Sequence, residues 1–185
     1  MSEESGQSAE SAEASLLDLP EELIPLSWLI GRWAGVGLGH YPTIEDFRFG
    51  QEVSFTTDGR PFLIYASRSW LLDDDGAKVR PLALESGFWR PRPGGEVEVT
   101  LAHPTGYSEL WLGTHEVLGI EDARITGARA NLRTDVIAAS PTAKPYAAGE
   151  RLYGLVNGEL MWTFDMAAVG EPMTNHLSAR LRPAD

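Results

Sequence analysis

The chain has 185 residues, no cysteine, 43% hydrophobic residues and a formal net charge of −12. That length suits one domain with a core large enough to fold without a metal or disulfide, and the missing thiols exclude disulfides, thiolate metal sites, iron–sulfur clusters and cysteine nucleophiles. An acidic chain without a basic stripe repels nucleic acid and anionic membrane, and with neither a signal-peptide pattern nor a run of ~18 apolar residues the expected location is the cytoplasm.

Residues 1–31 hold seven acids and no Lys or Arg, leaving −5 on the rest of the chain. Residues 1–18 are Ser/Glu/Ala-rich and bury too little apolar surface to offset ordering entropy, so they read as a disordered acidic tail. Residues 19–185 read as the folded domain. Its first element is a short helical turn around Pro25–Leu29, stopped at Gly31.

Strand patterns follow from Trp33 onward. Phe62, Ile64 and Ala66 alternate with Leu63, Tyr65 and Ser67. Leu84, Ser86 and Phe88 alternate with Glu85, Gly87 and Trp89, and Val97, Val99 and Leu101 with Glu96, Glu98 and Thr100. Leu160, Trp162, Phe164 and Met166 form a further set. Period two in this many segments indicates antiparallel strands with one buried face. Asp58-Gly59, Asp75-Gly76, Gly94-Gly95 and Asn157-Gly158 sit between such runs, where hairpin turns need positive φ. The count is about ten strands, and hairpin-linked strands in that number predict an up-and-down antiparallel β-barrel. A barrel wider than eight strands leaves room for a ligand cavity.

Candidate chemistry is sparse. His40, His103, His115 and His176 show no pairwise metal-ligand spacing. Gly31–Gly37 (GRWAGVG) lacks the Lys and the strand–helix context of a phosphate loop, and no G-x-S-x-G elbow is present. A Gly-x-Trp at the first strand is a mark of the calycin barrels; Trp33 would plug the closed end, with Arg180 or Arg182 stacked on it. Gly35 and Gly37 would let the strand bend.

The chain resembles the nitrobindin family, haem proteins on a ten-stranded barrel of fatty-acid-binding-protein type. The matching pieces are Gly31–Gly37 as G-x-W-x-G-x-G, Tyr41-Pro42-Thr43, Ser140–Lys144 (SPTAK), Met166–Gly170 (MAAVG) and Asn175–Leu181 (NHLSARL), in the family's order over residues 26–182. The resemblance implies one b-type haem per chain, with His176 as axial ligand to iron. It places Thr43 and Lys144 at the haem, Lys144 to meet a propionate. It implies nitric oxide binding and isomerisation of peroxynitrite to nitrate at ferric haem. Met166, Met173 and His40 are weaker candidates for a sixth ligand. No distal acid or base is marked by motif, which suits an apolar pocket.

Strand parity opposes part of this. Alternation puts His176, Ser178 and Arg180 on one face and Leu177, Ala179 and Leu181 on the other. An inward His176 then sends the leucines outward, to be covered by the Pro25–Leu29 turn or by a partner subunit in a homodimer, unless a bulge near Asn175 changes the face. Two alternatives to the isomerase stay open: a carrier of fatty acids or other apolar ligands, with Arg180 meeting the carboxylate, and a nitric oxide carrier or sensor without turnover.

Overall fold

The computed structural model describes residues 19–185; the acidic tail expected over residues 1–18 lies outside the described residues. Ten antiparallel strands close on themselves in the order β1-β10-β9-β8-β7-β6-β5-β4-β3-β2. They are β1 (Gly31–Tyr41), β2 (Ile44–Thr56), β3 (Leu63–Leu72), β4 (Lys78–Arg92), β5 (Glu96–His103), β6 (Tyr107–Glu121), β7 (Arg124–Ala139), β8 (Tyr146–Val156), β9 (Glu159–Ala168) and β10 (Thr174–Ala184). Each strand pairs with its sequence neighbours, and β1 meets β10 to close the ring. The expected up-and-down barrel is the observed fold. Closure removes the open sheet edges that would otherwise invite aggregation. No helix among the described residues is long and apolar enough to cross a membrane.

The turns follow the local chemistry. Asn157 and Gly158 both hold positive φ, as a two-residue hairpin demands, and Gly59, Gly76 and Gly94 do likewise in their loops. Asp122-Ala123 adopts the same left-handed pair between β6 and β7, in a dipeptide that carries no glycine to announce it.

One end of the barrel is capped by the predicted N-terminal turn, here a 3-10 helix over Glu21–Leu29. Leu23, Leu26 and Leu29 are fully buried, and the helix packs on β4, β6 and β7. The indole of Trp33 is buried at this end and donates to the carbonyl of Leu29 at 2.8 Å. The expected stacking of Arg180 or Arg182 on Trp33 is not the arrangement found. Both arginines point outward and pair with Glu159, because alternation along β10 puts them on the solvent face opposite Ala179 and Leu181. The glycines of β1 allow close approach. A Cβ on Gly35 would overlap the Arg180 carbonyl of β10, and one on Gly37 would overlap the ring of Phe49.

The inward sets include Leu63 and Tyr65 on β3, Trp89 on β4, Val97, Val99 and Leu101 on β5, and Leu160, Trp162 and Phe164 on β9. On β4 Leu84 and Phe88 face away from the core. Leu84 and Phe88 are 55% and 51% exposed, while Glu85, Gly87 and Trp89 point inward. This inversion places a carboxylate inside the barrel.

Candidate functional site

β1 runs from the capped end to Tyr41 and β10 starts at Thr174, so Tyr41 and His176 meet at the opposite, open end. Two cavities adjoin there, of about 980 Å³ and 330 Å³. The larger lies toward β1–β4 and the smaller toward β5, β6, β8 and β9. His176, Leu177, Glu85 and Lys144 line both.

The parity conflict at His176 is resolved by a bulge. On β10, Asn175 pairs with Asp165 but Leu177 pairs with the very next residue of β9, Phe164. His176 is therefore the extra residue, and two successive side chains reach the cavity side. After the bulge Leu177, Ala179 and Leu181 share the face of Phe164, Trp162 and Leu160. Leu181 is fully buried and Leu177 packs on the core, so the leucines need no cover from a turn or a partner.

The imidazole of His176 sits among aromatic rings. Tyr41 meets it edge-on at 5.4 Å between centroids, with Phe164 at 6.1 Å and Phe47 at 6.3 Å. Nδ1 lies 2.9 Å from the carbonyl oxygen of His40. A carbonyl only accepts, so Nδ1 carries the proton, and in the neutral ring the lone pair is then on Nε2. Burial lowers the His176 pKa below its ordinary value, outweighing the opposing effect of the His40 carbonyl bond. The result is a neutral, oriented imidazole with its donor nitrogen unspent. Tyr41 holds this corner together: its buried hydroxyl accepts from the Ala168 N–H at 3.0 Å and lies 3.1 Å from the Met166 carbonyl.

The other sequence candidates divide. Thr43 lies in the β1–β2 turn, exposed, on the rim of the smaller cavity. Lys144 is exposed and lines both cavities. Thr43, Lys144 and His176 thus gather around one opening although they are about a hundred residues apart or more in pairs with Thr43. Met166 lines the smaller cavity. Met173 is 40% exposed, and His40 contributes its backbone carbonyl to His176. Arg48 and Arg80, not singled out by sequence, line the larger cavity beside Lys144.

The residues present fit a planar, dianionic, iron-bearing group such as haem. The donor set supplies one neutral imidazole, whose second nitrogen is held by a carbonyl as metal-bound histidines commonly are. Aromatic walls supply apolar contact, and Lys144, Arg48 and Arg80 supply positive charge near the rim for carboxylates.

Sequence reasoning missed the polar interior. Arg151 on β8 is buried, and its Nη1 and Nη2 donate to Glu85 of β4 at 2.9 and 2.6 Å. Tyr65 donates to the same carboxylate at 2.9 Å. The aromatic rings of Phe164 and Trp111 flank the guanidinium at 4.8 and 5.0 Å. His103 Nε2 donates to Glu109 at 2.7 Å, and Trp111 donates to Glu109 at 3.0 Å. Burial pushes the Glu85 carboxyl up, but the Arg151 guanidinium outweighs it and brings the pKa to about 2. The apolar pocket expected from sequence is therefore corrected: the cavity has aromatic walls over a charged floor. The only sequence signal was parity, since Arg151 alternates with Leu152 just as Glu85 alternates with Leu84, and in both strands the apolar residue faces out.

Comparison with known proteins bears on this site. A family model described as "THAP4-like, heme-binding beta-barrel domain" matches residues 22–182. A protein named peroxynitrite isomerase from a Nocardioides species is 46% identical over 168 residues, covering 89% of this chain and 96% of the relative. A protein named ferric nitrobindin-like protein from Kineococcus radiotolerans is 45% identical over 180 residues, covering 89% and 94%. Among solved structures, the crystal structure of Rv2717c from M. tuberculosis superposes with a TM-score of 0.82 at 38% identity, covering 90% of this chain and 99% of that one.

Proposed function

Because this chain belongs to the THAP4-like, haem-binding β-barrel family, we propose that it binds one haem b through His176 and isomerises peroxynitrite to nitrate. Nitric oxide binding at the same iron is part of this reading. The observation that supports it most directly is the His176 seat, where the His40 carbonyl leaves the Nε2 lone pair as the donor toward the cavity. Relatives named peroxynitrite isomerase supply the reaction.

When bound, ferric haem supplies an open coordination position that acts as a Lewis acid. The chain's own residues do the rest. His176 is kept neutral by burial and fixed in tautomer and direction by the His40 carbonyl. Tyr41, Phe47 and Phe164 restrict its rotation. Phe164, Met166 and Leu177 give the smaller cavity part of its apolar lining. Lys144, with Arg48 and Arg80 nearby, offers charge to propionates, and Thr43 offers a hydroxyl at the rim.

The carboxylate-carrier alternative loses its proposed cation, because Arg180 lies on the outer face and pairs with Glu159. The test begins with haemin titrated into wild type and His176→Ala. A Soret band that forms in wild type and is lost or strongly shifted in the variant is expected. Stopped-flow decay of peroxynitrite then separates an isomerase from a nitric oxide carrier. A decay no faster than with free haemin overturns the catalytic claim.

A further inference from the structure

The floor of the cavity is built like a receptor for a carboxylate, and it already holds one. Arg151 donates twice to Glu85, in the forked geometry with which guanidinium groups bind carboxylates. The Tyr65 hydroxyl adds a third donor at 2.9 Å. The guanidinium itself is packed in place, its side chain 2% exposed against 15% for Glu85. Glu85 lines both cavities, and Arg151 lines the smaller one. The donors thus form the fixed wall, and the carboxylate reaches them from the cavity side.

We propose that Arg151 and Tyr65 form a carboxylate-binding cradle, and that Glu85 fills it from within the chain. By filling it, Glu85 bars anionic apolar ligands, such as medium- and long-chain monocarboxylates, from the barrel. A buried ion pair is poor value as a stabiliser when apolar residues could replace it, so its position facing the ligand space matters more than its contribution to folding. Glu85 is in this sense a specificity-determining residue: it decides that an aromatic-walled barrel does not take up fatty acids. This inference does not depend on haem, and its test uses the protein without haem.

The experiment is chemical rescue. Glu85→Ala removes the internal carboxylate and leaves the guanidinium facing the cavity. Sodium acetate is compared with sodium chloride at equal ionic strength by thermal unfolding, and decanoate with decanol by calorimetry. Acetate is expected to raise the midpoint of Glu85→Ala by several degrees over chloride and to leave wild type unchanged. Decanoate is expected to bind the variant at least about tenfold more tightly than it binds wild type, with no such gain for decanol. Adding Arg151→Met to the variant is expected to abolish both effects. If Glu85→Ala does not fold in chloride, its refolding yield in acetate is the readout, and recovery in acetate supports the cradle. Wild type binding decanoate as tightly as the variant, or no advantage of acetate over chloride in midpoint or yield, overturns it.

Discussion

Tyr41→Phe isolates one oxygen atom at the His176 corner. Tyr41 is 4% exposed. Its hydroxyl is the partner of the Ala168 N–H at 3.0 Å and is within reach of the Met166 and Ala168 carbonyls at 3.1 and 3.3 Å. The bonds join the open end of β1 to the end of β9, where the chain turns toward β10. Phenylalanine keeps the ring, so the 5.4 Å edge contact with His176 survives. It leaves a buried N–H without an acceptor, which costs about 1–3 kcal/mol. Taking about 2 kcal/mol, and about 2–4 °C per kcal/mol for a domain of this size, the melting midpoint falls by about 4–8 °C. Haem affinity changes by less than about threefold, because the ligand and its aromatic wall remain. Thermal unfolding followed by circular dichroism and a haemin titration at the Soret band check the two halves. A midpoint within about 1 °C of wild type refutes the argument that the hydroxyl is the acceptor Ala168 requires.

Three further outcomes are expected. The Glu85 carboxyl is held at about 2 against an ordinary 4.5, so its contribution is complete above pH 4.5 and is lost as pH falls toward 2; at 1.36 kcal/mol per unit this is about 3 kcal/mol, and the midpoint–pH curve of Glu85→Gln lacks that acid limb while starting lower at pH 7. Burial lowers the pKa of His176, so its neutral form persists below the ordinary 6.5, and haemin affinity stays flat above that pH and falls only on the acid side as protons compete for Nε2; a loss between pH 7 and 8 contradicts this. Lys144→Ala removes an exposed charge worth about 0.2–1 kcal/mol, which raises the haem dissociation rate up to about fivefold, most clearly at low salt, as read by transfer to apomyoglobin.

Fold and ligand site differed in how far they were legible. Period-two alternation and the Asp-Gly and Asn-Gly turns describe strands and hairpins locally, and hairpin-linked strands have few ways to close other than a barrel. The short motifs placed Thr43, Lys144 and His176 in one family pattern, and the structure brings all three to one opening. The bulge at Asn175–Leu177 is not legible locally, since nothing in NHLSA distinguishes a bulged strand from a regular one. It becomes visible only in the register against Asp165 and Phe164 on β9.

The sequence by itself determined that this is an all-β, cysteine-free barrel with one histidine in a haem-ligand context, because strand period, turn chemistry and motif order are local properties of the chain. Only the tertiary structure decided which way the side chains face. On β4 Leu84 and Phe88 face out, as Leu152 does on β8, and the closed barrel puts Glu85 and Arg151 inside. Alternation gives two faces but not their assignment; that depends on partners across the barrel, where a carboxylate from β4 and a guanidinium from β8, 66 positions apart in the chain, neutralise each other. At His176 the deciding feature is the register of β10 against its neighbour β9, where the bulge lets His176 and Leu177 both reach the cavity side.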